Sequence, residues 1–150
     1  MLAYEFCDKL KRLFGGMKKE FDKWNTVKKA VNEKAGNVLF HDREIWWCSL
    51  GVNVGSEQDG INDNFERPVL IVRNFNGKVC WAVPLTRTFK LHSPYYFPIE
   101  RGDDNEVSSA AIISQLRLIS SKRLIRKIRT LEESEFERLI YQLERMLRGI

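Results

Sequence analysis

The stretch PVLIVRNFNGKVCWAVPLTRT, residues 68–88, decides the fold, because two β-rich runs flank one strong turn signal. An Asn-Gly pair between such runs is the strongest short-range indication of a β-hairpin, and Asn76-Gly77 therefore predicts a two-residue type I′ turn. That turn fixes the register of the two strands. It places Leu70 opposite Val83, on a face that we expect to form the core together with Val72 and Trp81.

The same register places Arg67 opposite Thr86 on the other face of the hairpin. This face is expected to be flatter and exposed, and its remaining side chains are small or aliphatic: Val69, Ile71, Cys80 and Ala82. Pro84 has no N–H to donate to a neighbouring strand, which predicts a β-bulge near this position.

Arg67 ends a polar, glycine-containing loop, VGSEQDGINDNFE, residues 54–66. Loops of this length inside a small domain are usually functional. A guanidinium offers a planar fork of donors that suits phosphate oxygens, and the Thr86 hydroxyl adds one further donor. Glu57 in the same loop is a candidate proton acceptor. The simpler alternative is a surface ion pair of Arg67 with Glu57 or Glu66.

Two amphipathic helices are predicted before the β region. The first covers residues 2–14 and ends at Gly15-Gly16. The second ends near Gly36, a predicted C-cap, and carries four apolar residues on one side: Met17, Phe21, Trp24 and Val31. Strands are predicted at residues 43–51, 95–99 and 108–120, in addition to the two strands of the hairpin.

The C-terminal part of the chain predicts two more helices. One is short and covers SKRLIRKI, residues 121–128. The last runs from about residue 132 to 148, with a capping box of Thr130 and Glu133, and its apolar stripe consists of Phe136, Leu139, Ile140, Leu143 and Leu147. The fold class is therefore mainly β with flanking helices (α+β), a small antiparallel barrel of about five strands that is SH3-like or OB-like. Residues 1–40 form an N-terminal helical extension, and residues 41–150 form the barrel with its C-terminal helix.

Composition narrows the functional classes. The formal net charge is +5, and six bases with no acid lie between Glu106 and Glu132, a block that attracts phosphates or simply forms a solvated face. No apolar run has the roughly 18 residues of a membrane span. The N-terminus carries acids and does not resemble a signal peptide. Three unpaired cysteines fit a reduced, cytoplasmic protein, and no Cys/His cluster has metal-ligand spacing, so neither metal nor cofactor is expected.

Three motifs, REIWWCSLGVNVGSEQDG…ERPVLIV, VCWAVPLTRT and ISQLRLISSKRL, resemble the MazF/PemK family of bacterial toxin–antitoxin toxins over about residues 41–130. The resemblance implies a dimeric SH3-like barrel that cuts single-stranded RNA, often mRNA, at short sequences without metal, and that is restrained by a cognate antitoxin protein. It carries the catalytic roles onto Arg67 and Thr86. It also implies RNA contacts from residues of the loop, of the end of the hairpin and of a later strand: Ser56, Gln58, Arg87, Ser114, Gln115 and Arg117. The insert INDNFE and residues 1–40 depart from the family pattern.

Cleavage without metal means that the 2′-OH attacks its own phosphate and leaves a 2′,3′-cyclic phosphate and a 5′-OH. In this hypothesis Arg67 binds the phosphate and stabilises its charge in the transition state, and Thr86 bonds the phosphate or the 2′-OH. Glu57 or a water molecule accepts the proton of the 2′-OH. A two-histidine mechanism with His41 and His92 is the weaker rival, because neither lies near Arg67 in this interpretation. Two other classes stay open, namely a toxin of the same barrel superfamily that poisons DNA gyrase without cleaving RNA, and a non-cleaving RNA-binding barrel.

Overall fold

The computed structural model describes residues 18–101 and 106–150. The first predicted helix, over residues 2–14, lies outside these residues. In chain order, with 3-10 turns at Ile113–Gln115 and Ser121–Arg123, the elements are α1 (Phe21–Asn32), β1 (Glu44–Ser49), β2 (Glu66–Asn74), β3 (Val79–Thr86), β4 (Tyr96–Arg101), β5 (Glu106–Ile112), β6 (Arg117–Ser120), β7 (Leu124–Thr130) and α2 (Glu133–Leu147). Neither described helix has the length and apolar content needed to cross a membrane.

The strands form one antiparallel sheet in the order β4-β5-β3-β2-β1-β7, with β6 also paired to β3. The β3 strand is central, because its first half pairs with β6, its last two residues pair with β5, and β2 lies along its other edge. This curled sheet with its C-terminal helix confirms the predicted small barrel, although seven strands replace the expected five.

The hairpin of β2 and β3 confirms the predicted register but not its turn. Leu70 pairs with Val83 as expected. The connection spans four residues, 75–78, and only Gly77 of the Asn-Gly pair has a positive φ, of 75°, so the type I′ turn was wrong. The Asn76 side chain instead accepts hydrogen bonds from the backbone N–H groups of Lys78 and Val79.

The bulge lies at Val72, not at Pro84 as predicted. Pro84 pairs regularly with Val69, and the register shifts only between Ile71 and Arg73. Beyond that shift Trp81 is 44% exposed rather than in the core, and its ring packs edge-on against Phe75 at 5.1 Å between ring centroids.

Both faces of the hairpin are buried. One face packs under α2, with Leu70 and Val83 in a cluster that includes Phe136 and Leu139 of the helix. The other face, predicted to be flat and exposed, fills the barrel interior with a second cluster: Phe40, Trp46, Cys48, Leu50, Val69, Ile71, Cys80, Ala82, Ile119 and Leu124. The hairpin can bury both faces because the sheet curls around one of them and the helix covers the other.

Several predicted element boundaries were wrong. Residues 108–120 form two strands joined by a 3-10 turn, and residues 121–128 form a 3-10 turn followed by β7 rather than a helix. The α2 helix has Glu132 at its N-cap without a side-chain bond, so Thr130 and Glu133 form no capping box. Leu147 of its stripe is 71% exposed.

The α1 helix confirms the second predicted helix but begins later, at Phe21, which is 48% exposed. Met17 lies outside the described residues. The helix ends at Asn32 with Glu33 as its C-cap, so Gly36 (φ +86°) shapes the following connection rather than the cap. Trp24 and Val31 are buried as predicted, and Trp24 belongs to a third small cluster with Val52 and Phe65.

Candidate functional site

The connection between β1 and β2, residues 50–65 and here called the β1–β2 loop, folds back on itself. The Gly51 N–H donates to the Phe65 carbonyl (3.0 Å), and the Gly60 N–H donates to the Gly51 carbonyl (2.8 Å). A Cβ on Gly60 would lie 1.9 Å from the Phe65 carbonyl group, so only glycine fits at this crossing. The two ends of the loop are therefore tied together at its base.

Acidic side chains of the loop are used to shape its tip. Glu57 Oε1 accepts the Val54 N–H (3.1 Å), and Asp59 Oδ1 accepts the Asn53 N–H (2.6 Å). The Asn53 amide also donates to the Gln58 carbonyl (2.8 Å). These bonds satisfy the loop's own backbone groups, as an ordered loop requires.

Arg67 is buried at the base of this loop, 8% exposed. Its Nε donates to the Asp59 carbonyl (2.6 Å), and its Nη1 donates to the Leu85 carbonyl (2.9 Å) at the end of β3. Burial lowers the pKa of the Arg67 guanidinium, and the nearby negative charge of Asp59 opposes this shift. A guanidinium has five N–H donors, so three remain for a ligand. The alternative of a surface pair with Glu57 or Glu66 is wrong, because both described partners of Arg67 are backbone carbonyls.

Thr86 follows directly after Leu85, so the guanidinium lies at the end of β3 that carries Thr86. The residue pairs of β2 and β3 begin at Val69 and Pro84, so the predicted direct pairing of Arg67 with Thr86 stays a prediction. The Thr86 hydroxyl lies in a local turn, where it donates to the Thr88 carbonyl (3.1 Å) and accepts the Thr88 N–H (3.2 Å). Arg87 is exposed beyond the end of the strand. A ligand that took the Thr86 hydroxyl hydrogen would therefore have to replace the bond to Thr88.

An open pocket of about 640 Å³ lies between the tip of the β1–β2 loop and the segment that enters β6. Its lining contains five of the nine predicted site residues: Ser56, Glu57, Ser114, Gln115 and Arg117. The other four predicted residues do not line it: Gln58, Arg67, Thr86 and Arg87. The structure thus separates most of the predicted residues into two groups: those that line the pocket, and Arg67 with Thr86 and Arg87 at the end of β3, called the Arg67 group. The pocket includes side chains of the β1–β2 loop, and Arg67 bonds to that loop through the Asp59 carbonyl.

Gln115 joins the loop to the β6 side of the pocket. Its Oε1 accepts the Gln58 N–H (2.6 Å), and its Nε2 donates to the Ser56 carbonyl (3.2 Å). Arg117 reaches Asn53 Oδ1 with a longer contact of 3.4 Å. The Gln115 amide therefore holds the loop, a role that the sequence interpretation, which gave it to RNA, did not include.

The block of six bases is largely engaged in holding the fold together. Three of the bases donate to backbone carbonyls: Arg123 to those of Ser49 and Leu50, Lys122 to that of Asn32 at the end of α1, and Arg129 to that of Glu100. Lys127 donates to the Glu44 carboxylate, and Arg126 lies over the Trp47 ring. Burial and the neighbouring Arg117 lower the pKa of the Arg123 guanidinium. The simple interpretation of this block as a free phosphate-binding stripe is therefore too broad, and Arg117 is its member at the pocket.

The two histidines lie away from both groups. His41 Nδ1 contacts Glu44 Oε1 (3.2 Å) before β1, and His92 borders a separate cavity beside α2. Within residues 18–101 and 106–150, no group of three or more His, Cys, Asp or Glu side chains is placed to hold a metal ion. Three residues that shape the loop escaped the sequence interpretation, namely Lys19, Asn53 and Asp59, because their contacts join positions far apart in the chain or lie within an irregular loop.

Comparisons with known proteins identify the family and a shared fold. Residues 41–147 match the family model described as PemK-like, MazF-like toxin of type II toxin–antitoxin system. The fold is similar to a MazF crystal structure from Deinococcus radiodurans, with a TM-score of 0.61 and 18% identity over 76% of this chain and 100% of that one. It is also similar to an endoribonuclease from a mycobacterial species (TM-score 0.55, 14% identity, 77% and 97% covered). That enzyme in complex with its cognate antitoxin gives a TM-score of 0.54 at 15% identity, with 75% and 97% covered. No curated protein matches the chain significantly by sequence.

Proposed function

This chain belongs to the PemK-like, MazF-like toxins of type II toxin–antitoxin systems, and from that premise we propose that it is a metal-independent, sequence-specific endoribonuclease for single-stranded RNA. One observation carries the proposal: the Arg67 guanidinium is held at the base of the β1–β2 loop by two backbone carbonyls, those of Asp59 and Leu85, and no other residue of the described chain accepts its remaining three N–H groups. Such a fixed cation with free donors suits the charge that develops on a phosphate during cleavage.

The proposed reaction needs no group beyond the RNA and the protein. The 2′-oxygen attacks the adjacent phosphorus as its proton leaves to an acceptor, and the bond from phosphorus to the 5′-oxygen breaks as that oxygen gains a proton. Arg67 would stabilise the charged phosphorane, and Thr86 would bond the phosphate or the 2′-OH. Arg67 is a poor proton acceptor because it remains protonated.

Glu57 and the pocket have separate proposed roles. Glu57 stays the side chain proposed as proton acceptor, but it lines the pocket, which Arg67 does not, and one of its carboxylate oxygens accepts the Val54 N–H, so water is the competing acceptor. We propose that nucleotides flanking the cleaved bond contact the pocket and the strand ends through Ser56, Gln58, Arg87, Ser114, Gln115 and Arg117. RNA binding there would replace part of the bonding between Gln115 and the loop.

The proposed partners follow from the same family. A homodimer and a cognate antitoxin are proposed, and one of the similar solved structures is described as an endoribonuclease in complex with its cognate antitoxin. The hairpin face that was predicted to be flat and exposed is buried in the barrel, so an antitoxin would have to bind another surface. The bacterial cytoplasm, where mRNA is found, is the proposed location.

The first experiment incubates the purified full chain with a long single-stranded RNA in EDTA and maps both the cut sites and the end groups. We expect discrete cuts with 2′,3′-cyclic phosphate and 5′-OH ends. Arg67→Ala should lower the cleavage rate by about 10²-fold to 10³-fold, as removal of a charge-stabilising donor does. Arg73→Ala is the matched control, because Arg73 lies on the same strand with a largely exposed side chain. Its rate should equal that of the wild type.

Two further measurements keep the test sharp. Arg67→Ala leaves two carbonyls unpaired, so its fold is checked by circular dichroism, and Arg67→Lys, which keeps the charge but loses the planar fork, should also be slow. Wild-type rates from a folded Arg67→Ala protein would refute the assignment. Intact RNA from folded, dimeric wild-type protein would refute the nuclease, and a DNA gyrase inhibition assay would then test the binding-toxin alternative.

A further inference from the structure

Lys19 precedes the residues that match the toxin family, yet its ammonium lies on the β1–β2 loop. Its Nζ donates to the Asn53 carbonyl (2.6 Å) and to the Gly55 carbonyl (2.7 Å), and it lies 3.1 Å from Asp59 Oδ2. An ammonium has three N–H donors, and these three acceptors use all of them. One side chain from outside the family region therefore contacts the loop at three points.

These contacts lead directly to Arg67. The Asp59 carboxylate that receives Lys19 also accepts the Asn53 N–H, and the backbone carbonyl of Asp59 accepts Arg67 Nε (2.6 Å). Asp59 is thus fixed through its side chain while its carbonyl orients the guanidinium. If the Asp59 carboxylate lost its ammonium partner, the residue whose carbonyl orients Arg67 would lose one of the contacts that fix it.

The helix that follows Lys19 fixes the same loop at its other end. The Trp24 ring lies on Gly51 so closely that an added Cβ would be 2.3 Å from two ring atoms. Arg123 lies over the Trp24 ring at 5.8 Å and donates to the Ser49 and Leu50 carbonyls, where the loop begins. Residues 18–32 therefore hold the loop both at its base and at its tip.

An exposed ion pair alone would not fix the loop firmly, since such pairs contribute roughly 0–1 kcal/mol to stability. Lys19 differs in two respects. Its side chain and that of Asp59 are 27% and 30% exposed, and two of its three bonds go to backbone carbonyls at short distances. Charge-assisted bonds to fixed acceptors are stronger than the ion pair of two mobile side chains.

We infer that Lys19 is a positioning residue for Arg67, acting through Asp59, so that the segment before the family region sets the geometry of the proposed cleavage site. The catalytic part of this inference rests on the proposed nuclease function. Lys19 does not line the pocket, and its bonds go to the loop and not to the Arg67 guanidinium, so it acts through the placement of the loop and of Arg67.

The test compares Lys19→Met, Lys19→Arg and the control Lys28→Met in the full chain. Lys28 lies on the exposed side of α1, so its replacement removes a nearby charge without touching the loop. The direct readout is the NMR signal of the Arg67 Nε–H, with the backbone amides of Asn53 and Gln58 as further probes. In Lys19→Met we expect hydrogen exchange at these groups to accelerate about tenfold or more, as local opening becomes easier. Lys28→Met should leave it unchanged.

Kinetics provide the second readout. Lys19→Met should lower kcat for RNA cleavage by about tenfold to a hundredfold, with a smaller change in KM, because a misplaced charge-stabilising group affects the transition state most. Lys19→Arg should restore a large part of kcat, because it keeps a cation within reach of Asp59.

The outcomes separate the inference from the proposed function. Unchanged exchange at Arg67 Nε–H in Lys19→Met would overturn the positioning role whatever the enzyme does. Accelerated exchange with an unchanged kcat would overturn its importance for cleavage. A wild-type protein that leaves RNA intact would refute the nuclease, and the exchange data would still decide whether Lys19 positions Arg67.

Discussion

Gly51→Ala tests whether α1 is firmly attached to the β1–β2 loop. Gly51 has φ +87° and directly faces the Trp24 ring, so a methyl group there meets two ring atoms at 2.3 Å. Gly36 is the matched control, because its φ is +86° and nothing lies within 4 Å of its added Cβ. The backbone penalty is therefore the same at both positions, and only the contact with Trp24 differs.

The expected magnitudes follow from these two contributions. An alanine in the left-handed region costs about 1–2 kcal/mol, which both variants lose. Overpacking against a rigid, buried ring adds about 1–3 kcal/mol, which only Gly51→Ala loses. Trp24 is 7% exposed and packs edge-on against Phe65 at 5.9 Å, so it has little room to move away. The free energy of unfolding should thus fall by about 2–5 kcal/mol in Gly51→Ala.

The assay is urea unfolding of both variants, followed by circular dichroism and by tryptophan fluorescence. The difference between the variants, and not either value alone, measures the Trp24 contact. A difference of less than about 0.5 kcal/mol, the range of ordinary surface substitutions, would refute the close packing of α1 on the loop. If the two probes gave separate transitions in Gly51→Ala, α1 would be unfolding before the barrel.

Two further predictions concern buried titratable groups. Burial raises the pKa of Glu44, but hydrogen bonds from Trp46, from the backbone of His41 and from Lys127 outweigh it and lower the pKa from 4.5 to about 2. The resulting stabilisation, about 3 kcal/mol, is fully present above pH 4.5 and is lost as the pH falls toward 2. Urea unfolding of Glu44→Gln should therefore show a lower free energy of unfolding at pH 7 and a weaker dependence on pH. Parallel pH profiles of the variant and the wild type would contradict this. Burial raises the pKa of the Cys48 and Cys80 thiols to about 12. At pH 8 both thiols should therefore react with iodoacetamide only when the protein unfolds, which peptide mass spectrometry can measure. Fast labelling of either thiol in the folded protein would contradict this.

The sequence was sufficient where local chemistry decides the structure. The alternating hairpin strands gave the pairing of Leu70 with Val83, and the same register brought Arg67 next to the residue before Thr86. It failed at residues 121–128, where a short mixed run fits a helix or a strand equally well by periodicity. The choice there is made by β1, which pairs with residues 124–130 and lies about 80 positions earlier in the chain.

The site was predicted only in part, for a related reason. Family motifs pointed to the residues of the pocket, because these residues lie within the recognised segments. They did not show that Gln115 binds the loop backbone, since the contact joins residues 57 positions apart and depends on how the loop folds. Nothing in the local sequence around Lys19 indicates its acceptors, which are mostly backbone carbonyls and therefore leave no side-chain pattern to read.

The length of the β1–β2 loop has a structural explanation in these contacts. A short connection could join β1 to β2, but it could not also present Asp59 to Arg67, Gln58 to Gln115 and two carbonyls to Lys19. The loop therefore contacts three separate parts of the chain through Arg67, Gln115 and Lys19, and Lys19 lies before the family region. For the proposed nuclease, replacing residues in the segment 18–32 should therefore change the cleavage rate even with every residue of the pocket intact.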